Sequence, residues 1–198
     1  MSEKGLTRKE VLVGGVGAAA VLALGGTVKA FAGEGAILRP PGGQDEARLL
    51  GACIRCDRCR SACPLDVISV ANGQGLINTR TPRLDFRIGY CNFCNLCIEA
   101  CPTGALAAFD PDREWIGPAV IDYGECLAFN KAGGCRICVD ECPYQAIYLN
   151  ERQEPVVDLP KCNGCGYCEY ICPSHKFRSF SGSRKRGINI EHSKEVRP

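Results

Sequence analysis

Residues 53–64 read Cys-Ile-Arg-Cys-Asp-Arg-Cys-Arg-Ser-Ala-Cys-Pro: four cysteines separated by two, two and three residues and closed by a proline. The run returns as Cys91, Cys94, Cys97 and Cys101-Pro102, and again as Cys162, Cys165, Cys168 and Cys172-Pro173. A further copy, Cys126, Cys135, Cys138 and Cys142-Pro143, carries eight residues (LAFNKAGG) between its first two cysteines, where the others carry two. The starts at 53, 91, 126 and 162 define a repeat of roughly 36 residues, and a fixed period takes precedence over any local reading. All 16 cysteines of the 198-residue chain fall inside these four runs.

The spacing C-x2-C-x2-C-x3-C-P is that of bacterial ferredoxins. Three thiolates on one tight loop wrap a cube of iron and sulfide, and the short steps turn backbone N–H groups toward its sulfurs. The fourth cysteine, on or beside a short helix, points to the neighbouring cube, and the proline after it fixes the backbone as the chain leaves. The sequence therefore predicts four [4Fe–4S] clusters with all sixteen cysteines as iron ligands. The third run reads as the same site with a looped-out insertion ending at Gly133-Gly134. Disulfides suit an even cysteine count in an exported chain, but do not require one strict spacing four times over. Zinc sites use paired C-x2-C hooks or histidine. Covalent haem needs C-x-x-C-H, and no C-x-x-C here precedes a histidine.

Composition agrees with a stapled, loop-rich body. There are 23 Gly, 12 Pro and only 7% aromatic residues, too little apolar bulk to order so many loops by burial alone. The formal net charge of +2 announces no polyanion-binding surface, which argues against a nucleic-acid partner. The expected fold class is α+β, with tandem ferredoxin modules of two clusters each built from short hairpins and short helices. Hairpins are expected after Pro143 (144–149 with 155–158) and after Pro102 (104–107 with 119–122). Ile54, Phe93, Leu96, Ile98, Ile137, Val139, Tyr167 and Ile171 flank the cysteines and are expected to keep water from the clusters.

The first 32 residues read as a targeting segment. Lys4, Arg8 and Lys9 precede the uncharged run Val11 to Val28, and Ala30-Phe31-Ala32 has the form of a signal-peptidase site. Thr7-Arg8-Lys9-Glu10-Val11-Leu12-Val13 resembles a twin-arginine signal with Lys9 in the second arginine's place, a route that carries folded, metal-loaded cargo. The segment is either cleaved after Ala32 or kept as an anchor. The organisation expected is a signal at 1–32, a linker at 33–52, a polyferredoxin domain at 53–180 with motifs at 53–64, 91–102, 126–143 and 162–173, and a polar tail at 181–198. No catalytic residue stands out. His175 and His192 are the only histidines, Asp110, Asp112 and Glu114 read as a solvated turn, Trp115 as a packing or docking residue, and Ser183-Arg184-Lys185-Arg186 as a solvated segment.

Together with the four cysteine runs and the leader, the segment Ile37-Leu38-Arg39-Pro40-Pro41-Gly42 before Ala52-Cys53-Ile54-Arg55-Cys56 resembles the MauM/NapG-type ferredoxin family. The resemblance implies an extracytoplasmic or membrane-surface electron carrier without catalysis of its own. It would relay electrons from a membrane quinol-oxidising partner to a terminal oxidoreductase, nitrate reduction being one such pathway. The other reading is a fixed iron–sulfur subunit of a molybdenum oxidoreductase complex. Two pairings of the motifs are open. In one, neighbours exchange their fourth cysteines, so that Cys101 joins Cys53, Cys56 and Cys59. In the other the exchange is nested, and Cys172 joins them, while Cys142 joins Cys91, Cys94 and Cys97. Analogy with four-cluster oxidoreductase subunits favours nesting.

Overall fold

Cysteine runs this close together leave room only for short elements. In the computed structural model, which describes residues 37–73, 75–129, 133–177 and 185–192, every helix and strand has three to seven residues. The expected leader lies outside the described residues. Among those described, no helix is long and apolar enough to cross a membrane. The chain divides into two units, Met1–Gly35 with Asn72–Thr79, and Ala36–Ala71 with Arg80–Pro198. Of the first, the described part is a turn in which Thr79 donates from its N–H to Leu76 O (3.3 Å) and from its hydroxyl to Gly75 O (3.1 Å). The second holds everything below.

Residues 37–52, expected as a linker, are packed structure. Helix α1 (Glu46–Ala52) starts at Asp45, whose side chain accepts the Arg48 N–H at 3.1 Å, and it buries Leu49 completely. Arg39 is 3% exposed. Its guanidinium donates to both carboxylate oxygens of Glu46 and, at 2.8 Å each, to Thr81 Oγ1 and Pro82 O. Leu38 O accepts from Leu84 N–H and Gly42 O from Ala107 N–H, both at 2.8 Å. The Arg-Pro-Pro-Gly segment thus ties the first two cysteine runs together.

Each run contributes one single-turn helix carrying its third cysteine: α2 (Arg58–Ser61), α3 (Leu96–Glu99), α4 (Ile137–Asp140) and α5 (Tyr167–Ile171). Helix α2 packs on α3, and α4 on α5. A 3-10 turn occupies Leu127–Phe129, and a last short helix, α6, spans Ser174–Phe177.

Among the described residues, three antiparallel strand pairs complete the fold. Strands β1 (Ile68–Val70) and β2 (Pro82–Leu84) pair with Ile68 opposite Leu84. The hairpin predicted after Pro143 is present as β4 (Ile147–Leu149) and β5 (Pro155–Val157). The one predicted after Pro102 is not. Strand β3 (Ala119–Ile121) pairs instead with β6 (Ile188–Ile190), and residues 104–107 are not a strand. The supposed polar tail therefore supplies a core strand. Ile188 and Ile190 are buried, and the Ile190 N–H donates to Glu169 Oε2 at 2.7 Å. Arg186, expected in solvent, is buried and donates to the carbonyls of Glu169, Tyr170 and Arg87. Alternating Ile-Asn-Ile was the available strand signal, too short to outweigh its charged flanks.

Candidate iron–sulfur sites

The backbone around the cysteines repeats as strictly as the cysteines do. The residue before the second cysteine is left-handed in every run: Arg55 (φ 57°), Phe93 (56°), Gly134 (79°) and Gly164 (77°). The residue after it is left-handed in three: Asp57 (62°), Asn95 (59°) and Gly166 (78°). A left-handed residue with a side chain costs about 1–2 kcal/mol. Its recurrence at Arg55, Asp57, Phe93 and Asn95 means that the loop geometry outweighs that cost. Such turns aim successive N–H groups into one concavity, an anion-binding nest. The N–H groups do reach sulfur: that of Arg60 bonds Cys59, that of Phe93 bonds Cys91, those of Ala128 and Phe129 bond Cys126, and that of Tyr167 bonds Cys165. The Ala146 N–H lies 3.3 Å from Cys142 Sγ.

The sixteen thiols gather into four quartets. Cys53, Cys56, Cys59 and Cys101 share the first, and Cys91, Cys94, Cys97 and Cys63 the second. Cys126, Cys135, Cys138 and Cys172 share the third, and Cys162, Cys165, Cys168 and Cys142 the fourth. The nested pairing is overturned, because α2 packs on α3 and α4 on α5, so each fourth cysteine is delivered to the adjacent run. None of the sixteen is in a disulfide. Among the described residues no three Cys, His, Asp or Glu side chains converge on a single metal ion. Four thiols spread around one concavity, with N–H groups aimed at sulfur, fit a multinuclear iron–sulfur body and its negative charge.

Burial sets the electrostatics. Desolvation, then the neighbouring thiols, push Cys59 up to about 11 and Cys91, Cys97, Cys138 and Cys165 up to about 12, despite the opposing backbone N–H groups. Burial, then the neighbouring thiols, pushes Cys168 up in the same direction. At Cys101 desolvation also acts upward, but the N–H groups of Leu106, Thr103 and Ala105 and the Thr103 hydroxyl bring the thiol below its ordinary value. Water exclusion is uneven. Phe93 is buried and stacks on Phe109 at 5.7 Å, whereas Ile54 (63% exposed), Leu96 and Ile137 face outward and do not provide the cover expected of them.

The two halves meet between the second and fourth quartets. The Cys91 N–H donates to Cys165 O at 2.8 Å. Tyr90 packs edge-on to Tyr167 at 4.6 Å, and Tyr144 feels the charge of both Cys165 and Cys91. The Phe86 ring fills the space that a side chain at Gly166 would need. The quartets thus stand in the order first, second, fourth, third, which the sequence could not give. His175 is exposed, with Nδ1 2.9 Å from Cys172 O, and His192 is exposed on the flank of β6. Asp110 and Glu114 close their own turn through Asp110 N–H and Asp112 N–H. Phe86, Gly166 and Arg39 were missed as site-shaping residues. Aligning the four runs would have marked Gly166, which stands where Asp57 and Asn95 stand in the first two.

Strand pairs, single-turn helices and thiol quartets define a ferredoxin-type iron–sulfur protein, and the 4Fe-4S dicluster domain model matches residues 52–105 and 133–176. The second match begins at Gly133, near the end of the insertion between Cys126 and Cys135, and so leaves Cys126 outside it. The methylamine utilization ferredoxin-type protein MauM of Methylophilus methylotrophus is 38% identical over 81% of this chain and 76% of its own. The ferredoxin-type protein NapG of Escherichia coli is 34% identical over 80% and 75%, and NapF of the same organism 34% over 69% and 80%. The chain belongs to the MauM/NapG family of ferredoxin-type electron-transfer proteins.

Proposed function

We propose that this protein is an extracytoplasmic electron wire, holding four [4Fe–4S] clusters and relaying electrons one at a time. Its donor is a membrane quinol-oxidising partner and its acceptor a terminal oxidoreductase. The quartets named above hold the clusters, one each. A bound [4Fe–4S] cluster supplies a one-electron couple whose geometry changes little between its two states. The chain does the rest. Thiolates fix each cube, left-handed turns aim N–H groups at its sulfurs, and Phe93, Phe109 and the Tyr90–Tyr167 pair exclude water between quartets. With all four thiols of each quartet committed to iron, none of the 16 cysteines is left over as a nucleophile, which supports a carrier without catalysis of its own.

The observation that carries this reading is the continuous file of quartets, joined across the halves by the Cys91–Cys165 hydrogen bond. The test is anaerobic purification with iron and acid-labile sulfide determination. About sixteen iron per chain are expected for four four-iron clusters. Colourless, sulfide-free protein would refute it.

A further inference from the structure

We propose that the first quartet is a port for a redox partner with an acidic surface, recognised by the arginines of the loop that wraps it. This rests on the electron-carrier reading. In the file of quartets the second and fourth are internal, since they meet at the Cys91–Cys165 bond, and the first and third are the ends. Cavities open beside three quartets, and their linings differ. Among the described residues, those lining the cavities beside the second and third carry no charged side chain. The one beside the first is lined by Arg55, Arg60 and Arg80, with Asp57 paired to Arg80 at 2.7 Å. Arg58, on the same loop, is exposed, as are Arg55 and Arg60.

Balancing the cluster's own charge does not explain these arginines. The second quartet presents the same four thiols on a loop without an arginine, and on the third quartet's loop Arg136 is paired to Asp140 at 2.7 Å. The surface instead has the make-up of a docking site: an exposed apolar centre at Ile54, an exposed thiol at Cys56 and a ring of arginines, the cation most enriched where proteins bind proteins. A positive rim over a terminal redox centre steers a negatively charged partner to the place where the tunnelling distance is shortest.

The test uses the cluster-loaded full chain and two probes, an acidic flavodoxin and a basic c-type cytochrome. Binding is measured by calorimetry at low and high salt, and electron transfer by stopped flow. In Arg58→Glu/Arg60→Glu the flavodoxin should bind about tenfold or more weakly and lose its salt dependence, with transfer slowed in parallel. Cytochrome binding should not weaken. Iron, sulfide and the electron paramagnetic spectrum of the variant report that the clusters are intact. Clusters present with flavodoxin binding indifferent to the reversal, or a wild-type preference for the cytochrome, overturns the port. Absence of iron and sulfide from the wild-type protein overturns the carrier reading and the port with it.

Discussion

Gly166 gives the sharpest test of how the halves are joined. It is left-handed at φ 78°, and a Cβ there would lie 2.0 Å from Phe86 Cδ1 and 2.3 Å from Cε1 and Cγ. Gly104, left-handed at 63°, has nothing within 4 Å of the same ideal position. Gly104→Ala should therefore cost only the backbone penalty, about 1 kcal/mol. Gly166→Ala adds displacement of a ring that is 2% exposed, and overpacking of that kind costs about 1–3 kcal/mol more. The expected total is about 2–4 kcal/mol, a large share of the stability of a small domain. Asp57 and Asn95 adopt the same backbone in the first two runs, so the loop itself tolerates a side chain. The excess belongs to Phe86. Anaerobic denaturant midpoints, followed by cluster absorbance, measure it. In a Phe86→Leu background the penalty of Gly166→Ala should shrink by about 1 kcal/mol or more. Equal costs for Gly104→Ala and Gly166→Ala, or no coupling to Phe86, would refute the packing described.

Three further outcomes are expected. Cys101→Ser should alter the cluster held by Cys53, Cys56 and Cys59, and Cys172→Ser that held by Cys126, Cys135 and Cys138; electron paramagnetic spectra of the two variants showing the reverse would restore the nested pairing. Arg39→Met should destabilise the chain by about 1–3 kcal/mol in denaturant titration, because it removes the buried guanidinium's bonds to Thr81 Oγ1 and Pro82 O while the half-exposed Glu46 carboxylate turns to water, and Arg39→Lys should recover little of this. Acid should weaken cluster retention. Burial holds Cys91 and Cys165 protonated up to about 12 in the cluster-free fold, while iron requires the thiolate. The cluster-free form therefore binds more protons, and the loaded form gains relative stability as pH rises toward 12 and loses it as pH falls. Each pH unit is worth about 1.4 kcal/mol per thiol. Bleaching followed across pH checks the sign, and retention improving in acid would contradict it.

Some of this protein is written in short stretches of chain. The candidate ligands and the loop's tightness follow from cysteines separated by two and three residues, because that spacing fixes the backbone between them. Strands β4 and β5 were legible for the same reason, with only a short turn between them. What distant segments do was not. Which run lends its fourth cysteine to which depends on α2 lying on α3 and α4 on α5. The partner of β3 arrives from residues 188–190, beyond a charged segment, and Arg39 finds Thr81 and Pro82 some forty positions away. Those contacts are selected by burial across the whole body, where Ile188, Ile190 and the Arg39 guanidinium each have one place to be covered and satisfied. The spacing of the cysteines determined what the chain can hold; the packing of the halves decided the order in which it holds it.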